Sequence, residues 1–249
     1  MSKLSVIIIT KNEADNIRAC LESVAWADEI IVVDSGSSDD TVNISNVLGA
    51  QVHVTADWPG FGIQKNRALS YTTGDWVLSL DADERVTPEL RSEIEVVLKE
   101  RHKYAAFRIS RLSSFCGRYM QHSGWYPDYV TRLFRNGTAE FSDDLVHESL
   151  VVNGPIGKLS NPLLHNTFRD LEELLTKINQ YSTAGARMLD EKGKSATLKK
   201  AVFHGVWAFF RTYILRAGFL DGREGFMLAV STAESTYYRY VKLMLLNKS

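Results

Sequence analysis

Two periods of apolar and polar residues alternate along the first hundred positions. Continuous apolar, largely β-branched runs stand at Ser5-Val-Ile-Ile-Ile-Thr10, Glu29-Ile-Ile-Val-Val-Asp34, Gln51-Val-His-Val-Thr55 and Trp76-Val-Leu-Ser-Leu80. Runs of this kind predict strands covered on both faces. Between them the apolar positions recur at helical spacing. Ala14, Ile17, Leu21 and Val24 follow Asn12, a candidate cap, and Ser38 is placed to cap a helix over Thr41–Leu48 that Gly49 stops. Gln64–Tyr71 fits a short helix, and Thr87-Pro88 opens another with Leu90, Ile94, Val97 and Leu98 on one face. Strands alternating with helices predict an α/β fold: a mostly parallel, Rossmann-like sheet flanked by helices, with ligands at the carboxyl ends of the strands.

The pattern changes after residue 104. Ala105–Ser110 predicts a strand, and 111–128 an aromatic, polar loop. Tyr129–Phe134, Asn136-Gly137 and Ala139–Ser142 predict a hairpin. An acidic cluster, Ser142-Asp143-Asp144-Leu145-Val146-His147-Glu148, follows. Asp170 opens a long helix that ends at Gly193. Ala201–Leu215 is apolar and aromatic, interrupted by His204 and Arg211. It predicts either a helix lying in a membrane interface or one packed against the preceding domain or a second subunit. The expected domains are 1–165, divided into 1–104 and 105–165, and a helical region, 166–249.

Charge sharpens this division. The formal net charge is −1, yet Lys194–Ser249 holds nine Lys/Arg against three Asp/Glu, leaving 20 against 27 elsewhere. A basic tail suits an anionic partner, here expected to be the cytoplasmic face of a membrane rather than nucleic acid. Cys20 and Cys116 lack metal or redox spacing, so reduced thiols are expected. Leu4–Ile9 is too short for a signal-peptide core, and no stretch reaches transmembrane length, so a cytoplasmic protein is expected.

The candidate chemistry lies at the strand ends. Trp76–Leu80 runs into Asp81-Ala82-Asp83-Glu84, and alternation along an extended chain turns Asp81 and Asp83 the same way. Two carboxylates there form an oxygen-rich site for Mg²⁺ or Mn²⁺. No dinucleotide glycine fingerprint follows the first strand, and no Walker loop is present, which argues against NAD, FAD and P-loop chemistry.

Taken in order, 5–13, Val-Val-Asp-Ser-Gly-Ser-Ser-Asp-Asp-Thr (32–41), Gln-Lys-Asn-Arg-Ala-Leu (64–69) and Leu-Asp-Ala-Asp-Glu (80–84) resemble the family 2 glycosyltransferases, which have the GT-A fold. Trp-Tyr-Pro-Asp (125–128), Val-His-Glu (146–148) and Asp-Gly-Arg-Glu-Gly (221–225) resemble the bacterial branch that adds glucose to the heptose of the lipopolysaccharide inner core. The Gln-x-x-Arg-Trp motif and membrane helices of processive members are missing, which favours a single transfer. The resemblance implies a metal-dependent, inverting hexosyltransferase using UDP-glucose and a glycolipid acceptor. Thr10, Asn12, Glu13, Asp34, Lys65, Arg67 and Asp81 would bind the donor. Asp83, Asp81 and His165 would meet the metal, and Trp125, Tyr126 and Asp128 the acceptor. Glu148 would be the general base, with Asp144 as runner-up. Plainer roles compete: turn cap for Asp34, solvated helix face for Lys65 and Arg67, core histidine for His165. Two other functions compete as well, a sugar nucleotidyltransferase and a membrane-associated scaffold that kept the fold.

Overall fold

The computed structural model describes residues 2–142, 149–168 and 170–247. They group into two compact units: 1–111 with 128–165, and 112–127 with 166–249. Residues 112–127, assigned to the acceptor half by the sequence, thus cluster with the helical region.

In the first unit, β1 (Leu4–Thr10), α1 (Ala14–Ser23), β2 (Glu29–Asp34), α2 (Thr41–Val47), β3 (Gln51–Val54), α3 (Phe61–Ser70) and β4 (Trp76–Asp81) alternate as the hydrophobic pattern predicts. The strand order is β3-β2-β1-β4, all parallel. Both faces of these strands are covered. Leu4, Val6 and Ile8 join Trp76, Leu78 and Leu80 in one core, while Ile7 joins Val77 and Ile31 in another. Burial on both sides removes the polar alternation of a one-sided sheet. Losing a fully buried large side chain such as Trp76 would cost about 3–5 kcal/mol.

A short β5 (Glu84–Val86) and α4 (Pro88–Lys99) follow. Thr87 caps α4 as expected, its hydroxyl accepting from Leu90 N at 3.1 Å. Two other predicted caps are not formed. Asn12 and Ser38 hydrogen-bond to each other, which leaves α1 and α2 without side-chain caps of their own.

Next come β6 (Ala106–Phe115), β7 (Arg118–Tyr119), β8 (Asp128–Arg135), β9 (Ala139–Phe141), β10 (Leu150–Val152), β11 (Ile156–Lys158) and β12 (Leu163–Phe168). The predicted hairpin does not form. β8 inserts antiparallel between β4 and β6, whereas β9 pairs with β10 in a separate two-stranded sheet. Asn136 explains the divergence. Its amide donates to Thr72 Oγ1 and Gly74 O, and its N–H donates to Asp75 O, so the turn is tied to the start of β4. β12 pairs antiparallel with β5, which sets His165 opposite Glu84.

The second unit contains α5 (Leu171–Glu191), α6 (Leu198–Phe210) and α7 (Gly222–Leu246). Asp170 caps α5 by accepting from Glu173 N at 2.8 Å, and Thr197 caps α6. Phe115, Met120, Leu174, Ile178 and Leu228 form its core, with Trp125 and Phe168 packed against it. Among the described residues no helix is long and apolar enough to cross a membrane.

Candidate active site

At the carboxyl ends of β1 and β4 lies a cleft of about 550 Å³, lined by Ile9, Thr10, Lys11, Glu13, Trp58, Phe61, Asp81, Ala82, Asp83 and His165. All belong to the first unit. The loop after β1 owes its shape to the loop after β2. Asp34 is fully buried, and its carboxylate accepts from Thr10 Oγ1 (3.0 Å), Gly36 N (3.0 Å) and Ser37 N (2.8 Å). Asn12 adopts φ 57° and accepts from Ser38 N at 2.8 Å. Glu13 N donates to Thr41 Oγ1, and Ala14 N to Asp39. The acidic, serine-rich run at 34–41 therefore satisfies the open N–H groups at the start of α1. Asp34 takes the turn-capping role and does not line the cleft, nor does Asn12. Thr10 and Glu13 do.

The Asp-Ala-Asp-Glu turn is held from beneath. Glu84, wholly buried, folds back so that its carboxylate accepts from Asp81 N at 3.0 Å. Arg85 donates to Ala82 O and, across to α1, to Asn16 O, both at 2.7 Å. Arg132, buried on β8, bridges the Asp81 and Glu84 carboxylates, the latter at 2.6 Å. Lys65 Nζ, also buried, lies 3.2 Å from the other Asp81 oxygen. Burial pushes the Asp81 carboxyl upward, but Arg132 and Lys65 outweigh it and hold the group well below the usual carboxylate range. For Glu84 burial wins over Arg132, and its carboxyl is raised.

Two cations, Lys65 and Arg132, already engage the Asp81 carboxylate, which still lines the cleft. Asp83 and His165 are the neighbouring pair that could hold a cation. Asp83 Oδ2 lies 3.2 Å from His165 Nε2, and both side chains line the cleft. Among the described residues no three of His, Cys, Asp and Glu gather into a complete metal cage. Two protein ligands nevertheless suit an ion shared with a bound diphosphate, since Mg²⁺ is commonly held by one or two carboxylates plus substrate phosphates. The imidazole shifts that donor set toward Mn²⁺.

Other expected positions lie elsewhere. Arg67 is paired in a fork with Asp57 (2.8 and 2.7 Å) rather than turned to the cleft. Lys65 meets Asp81 from below and does not line the cleft either. Asp128 accepts from Arg111 Nε at 2.9 Å. Trp125 and Tyr126 belong to the second unit, where Trp125 packs on Phe115 and Phe168. The Asp-Gly-Arg-Glu-Gly motif also works there: buried Asp221 accepts from Gln121 N, His122 N and Ser123 Oγ. Asp144 and Glu148 lie outside the described residues.

Periodicity did not reveal Arg132, Trp58 and Phe61. For Arg132 the available signal was a charge inside an apolar strand. For the aromatic pair, in edge contact at 4.9 Å, it was their position around Pro59-Gly60. Carboxylates, one imidazole, a lysine and two exposed aromatic rings suit a ligand that combines a ring with an anionic group.

The profile of the family described as "Glycosyl transferase family 2" matches residues 5–152. The uncharacterized glycosyltransferase RP128 of Rickettsia prowazekii is 34% identical over 98% of this chain and 87% of its own. The lipopolysaccharide core biosynthesis glycosyltransferase LpsC of Rhizobium meliloti is 30% identical over 95% and 93%. Among solved structures, S. aureus TarS 1–349 superposes with a TM-score of 0.50 at 18% identity, over 99% of this chain and 92% of that one. The fold is GT-A.

Proposed function

Because this chain belongs to glycosyl transferase family 2, we propose that it is an inverting hexosyltransferase moving glucose from UDP-glucose to a lipopolysaccharide-core or related glycolipid acceptor at the cytoplasmic face of the inner membrane. The observation that carries this reading is the cleft itself, with Asp81, Asp83 and His165 converging at the carboxyl end of β4. The likeness to a lipopolysaccharide core glycosyltransferase along nearly the whole chain supports the acceptor class. The same carboxylates weigh against a bare scaffold, and Thr10-Lys11-Asn12-Glu13 in place of a glycine-rich loop weighs against a nucleotidyltransferase.

The donor lies with its ring against Trp58 and Phe61 and its diphosphate toward Lys11, Asp83 and His165. Asp81, fixed by Lys65 and Arg132, accepts from the ribose hydroxyls. Asp83 and His165 would hold Mg²⁺ or Mn²⁺, an ion that would supply charge stabilisation to the departing diphosphate. Glu148 takes the proton of the acceptor hydroxyl on the face opposite the leaving group, with Asp144 the alternative. Such a base contributes about 10²–10⁴-fold in rate.

A mass-spectrometric screen of nucleotide sugars on the purified protein tests the donor. UDP-glucose should be turned over with Mn²⁺ or Mg²⁺ and should stall in EDTA. Preference for a different donor overturns the sugar assignment, and full activity in EDTA overturns the metal.

A further inference from the structure

The helix α6 is packed inside out. The residues it buries are small, Ala201, Gly205 and Ala208, and Thr212 continues their line. A Cβ at Gly205 would sit 3.2 Å from Tyr237 Cβ and 3.3 Å from Ala233 O, so this stripe lies hard against α7. At 3.6 residues per turn, Phe203, Trp207 and Phe210 fall on roughly the opposite side. Phe203 is 67% exposed, Trp207 46% and Phe210 42%. Past Phe210 the chain widens into one π-turn over Arg211–Leu215, with Arg216 N donating to Arg211 O at 2.9 Å. Ile214 and Leu215 are exposed there, and so are Phe219 and Leu220 in the short 3₁₀ turn that follows. Soluble proteins rarely leave so much contiguous apolar surface in water.

Charge identifies what covers it. From Lys192 to Leu220 the chain holds six Lys/Arg and no Asp/Glu. Lys199, Lys200, Arg211 and Arg216 are all exposed among these apolar residues. A second copy meeting this face about a two-fold axis would set like charge against like. An anionic lipid surface complements it, with the rings entering the acyl boundary and the basic heads at the phosphates.

We infer that the Phe203–Trp207–Phe210 face of α6 and the following Ile214–Leu220 turns form a docking surface for an anionic phospholipid bilayer, into which their apolar side chains insert. This rests on the reading above only for its purpose, holding the enzyme where a lipid-borne acceptor lies. Binding to vesicles requires no sugar chemistry.

The full chain is floated with phosphatidylcholine vesicles and with vesicles containing one quarter phosphatidylglycerol. It should bind the anionic vesicles, and high salt should release most of it. The double variant Trp207→Glu/Phe210→Glu should lower the bound fraction at least tenfold, with its circular dichroism, melting temperature and donor hydrolysis in the absence of vesicles retained. Lys199→Glu/Lys200→Glu should weaken binding and flatten its salt dependence. Brominated lipids should quench a part of the tryptophan emission that is lost in Trp207→Phe, a readout that stands even where the double variant fails to fold. Three results overturn the inference: wild-type protein staying in the aqueous phase, binding indifferent to lipid charge and salt, or a stable dimer that Trp207→Glu/Phe210→Glu splits. Loss of donor hydrolysis with vesicle binding intact would instead overturn the catalytic reading alone.

Discussion

Arg132 answers to two carboxylates with opposite tendencies. Burial raises Glu84, and a carboxyl with a folded value above its unfolded one, about 4.3, contributes stability that is present below that value and lost as pH rises through the folded one. Asp81 runs the other way. Its contribution is present above an unfolded value of about 3.9 and lost only in strong acid. Near neutral pH the guanidinium offsets the cost of keeping Glu84 charged. Arg132→Met should therefore cost about 3–5 kcal/mol at pH 7, and less at pH 5, because the raised Glu84 carboxyl takes up a proton more readily as the pH falls. Urea midpoints at both pH values measure this, and equal losses would mean that Arg132 does not govern Glu84. Asp83→Ala should abolish metal-stimulated turnover while the melting temperature holds, because this carboxylate meets the cleft rather than the core. Glu148→Gln should leave donor affinity intact and slow turnover at least about a hundredfold, the lower end of what a positioned base contributes. If Asp144→Asn is dead while Glu148→Gln is active, the base is Asp144. Cys20 offers a control: burial pushes its thiol up to about 12. It should resist iodoacetamide at pH 8 in the folded protein and label once the protein unfolds.

At the scale of elements, close backbone contact replaces side-chain bulk in the second unit. Gly225, in the first turn of α7, approaches the Gly218 carbonyl so closely that a Cβ would lie 1.9 Å from it. Gly225→Ala must push α7 away from the 3₁₀ turn, at a cost of about 1–3 kcal/mol by the standard of overpacked cores. Limited proteolysis should then cut between residues 216 and 222 where the wild type resists, and an unchanged digest would show that the turn yields freely. The same scale explains the missing hairpin. A two-residue turn signal states that the chain reverses, but not which neighbour each strand takes. Asn136 ties the turn to the start of β4, so β8 fills the gap beside β4 and β9 turns away to β10.

On the scale of the molecule, the second unit is assembled from two distant pieces of chain. Phe115, Met120 and Trp125 come from the 112–127 segment, whereas Leu174, Ile178 and Leu228 come from α5 and α7. A fragment ending at residue 165, the boundary suggested by the sequence, would strip the first group of its partners. That fragment should bind a hydrophobic dye and aggregate, while the full chain stays monodisperse in detergent. A monodisperse, dye-silent fragment would show that 112–127 does not need the helices.

The parallel half of the sheet was legible because it rests on nearest-neighbour physics. Runs such as 5–10 and 29–34 are apolar on both faces, and only a doubly covered strand tolerates that. The carboxylate turn was legible too, since Asp81 and Asp83 end such a run, and the order of motifs along 5–84 pointed to the family. Residue roles that depend on which groups meet across the chain were not. Asp34 and Asp83 are both aspartates near strand ends, yet one is buried under four donors, Thr10 on β1 among them, and the other faces the cleft. Arg132 reaches Asp81 and Glu84 across 51 and 48 residues, a separation no local period records. The inverted packing of α6 escaped for the same reason. Hydrophobicity marks which residues avoid water, and only the closeness of α7 decided that the small ones would be buried and the large ones left outside.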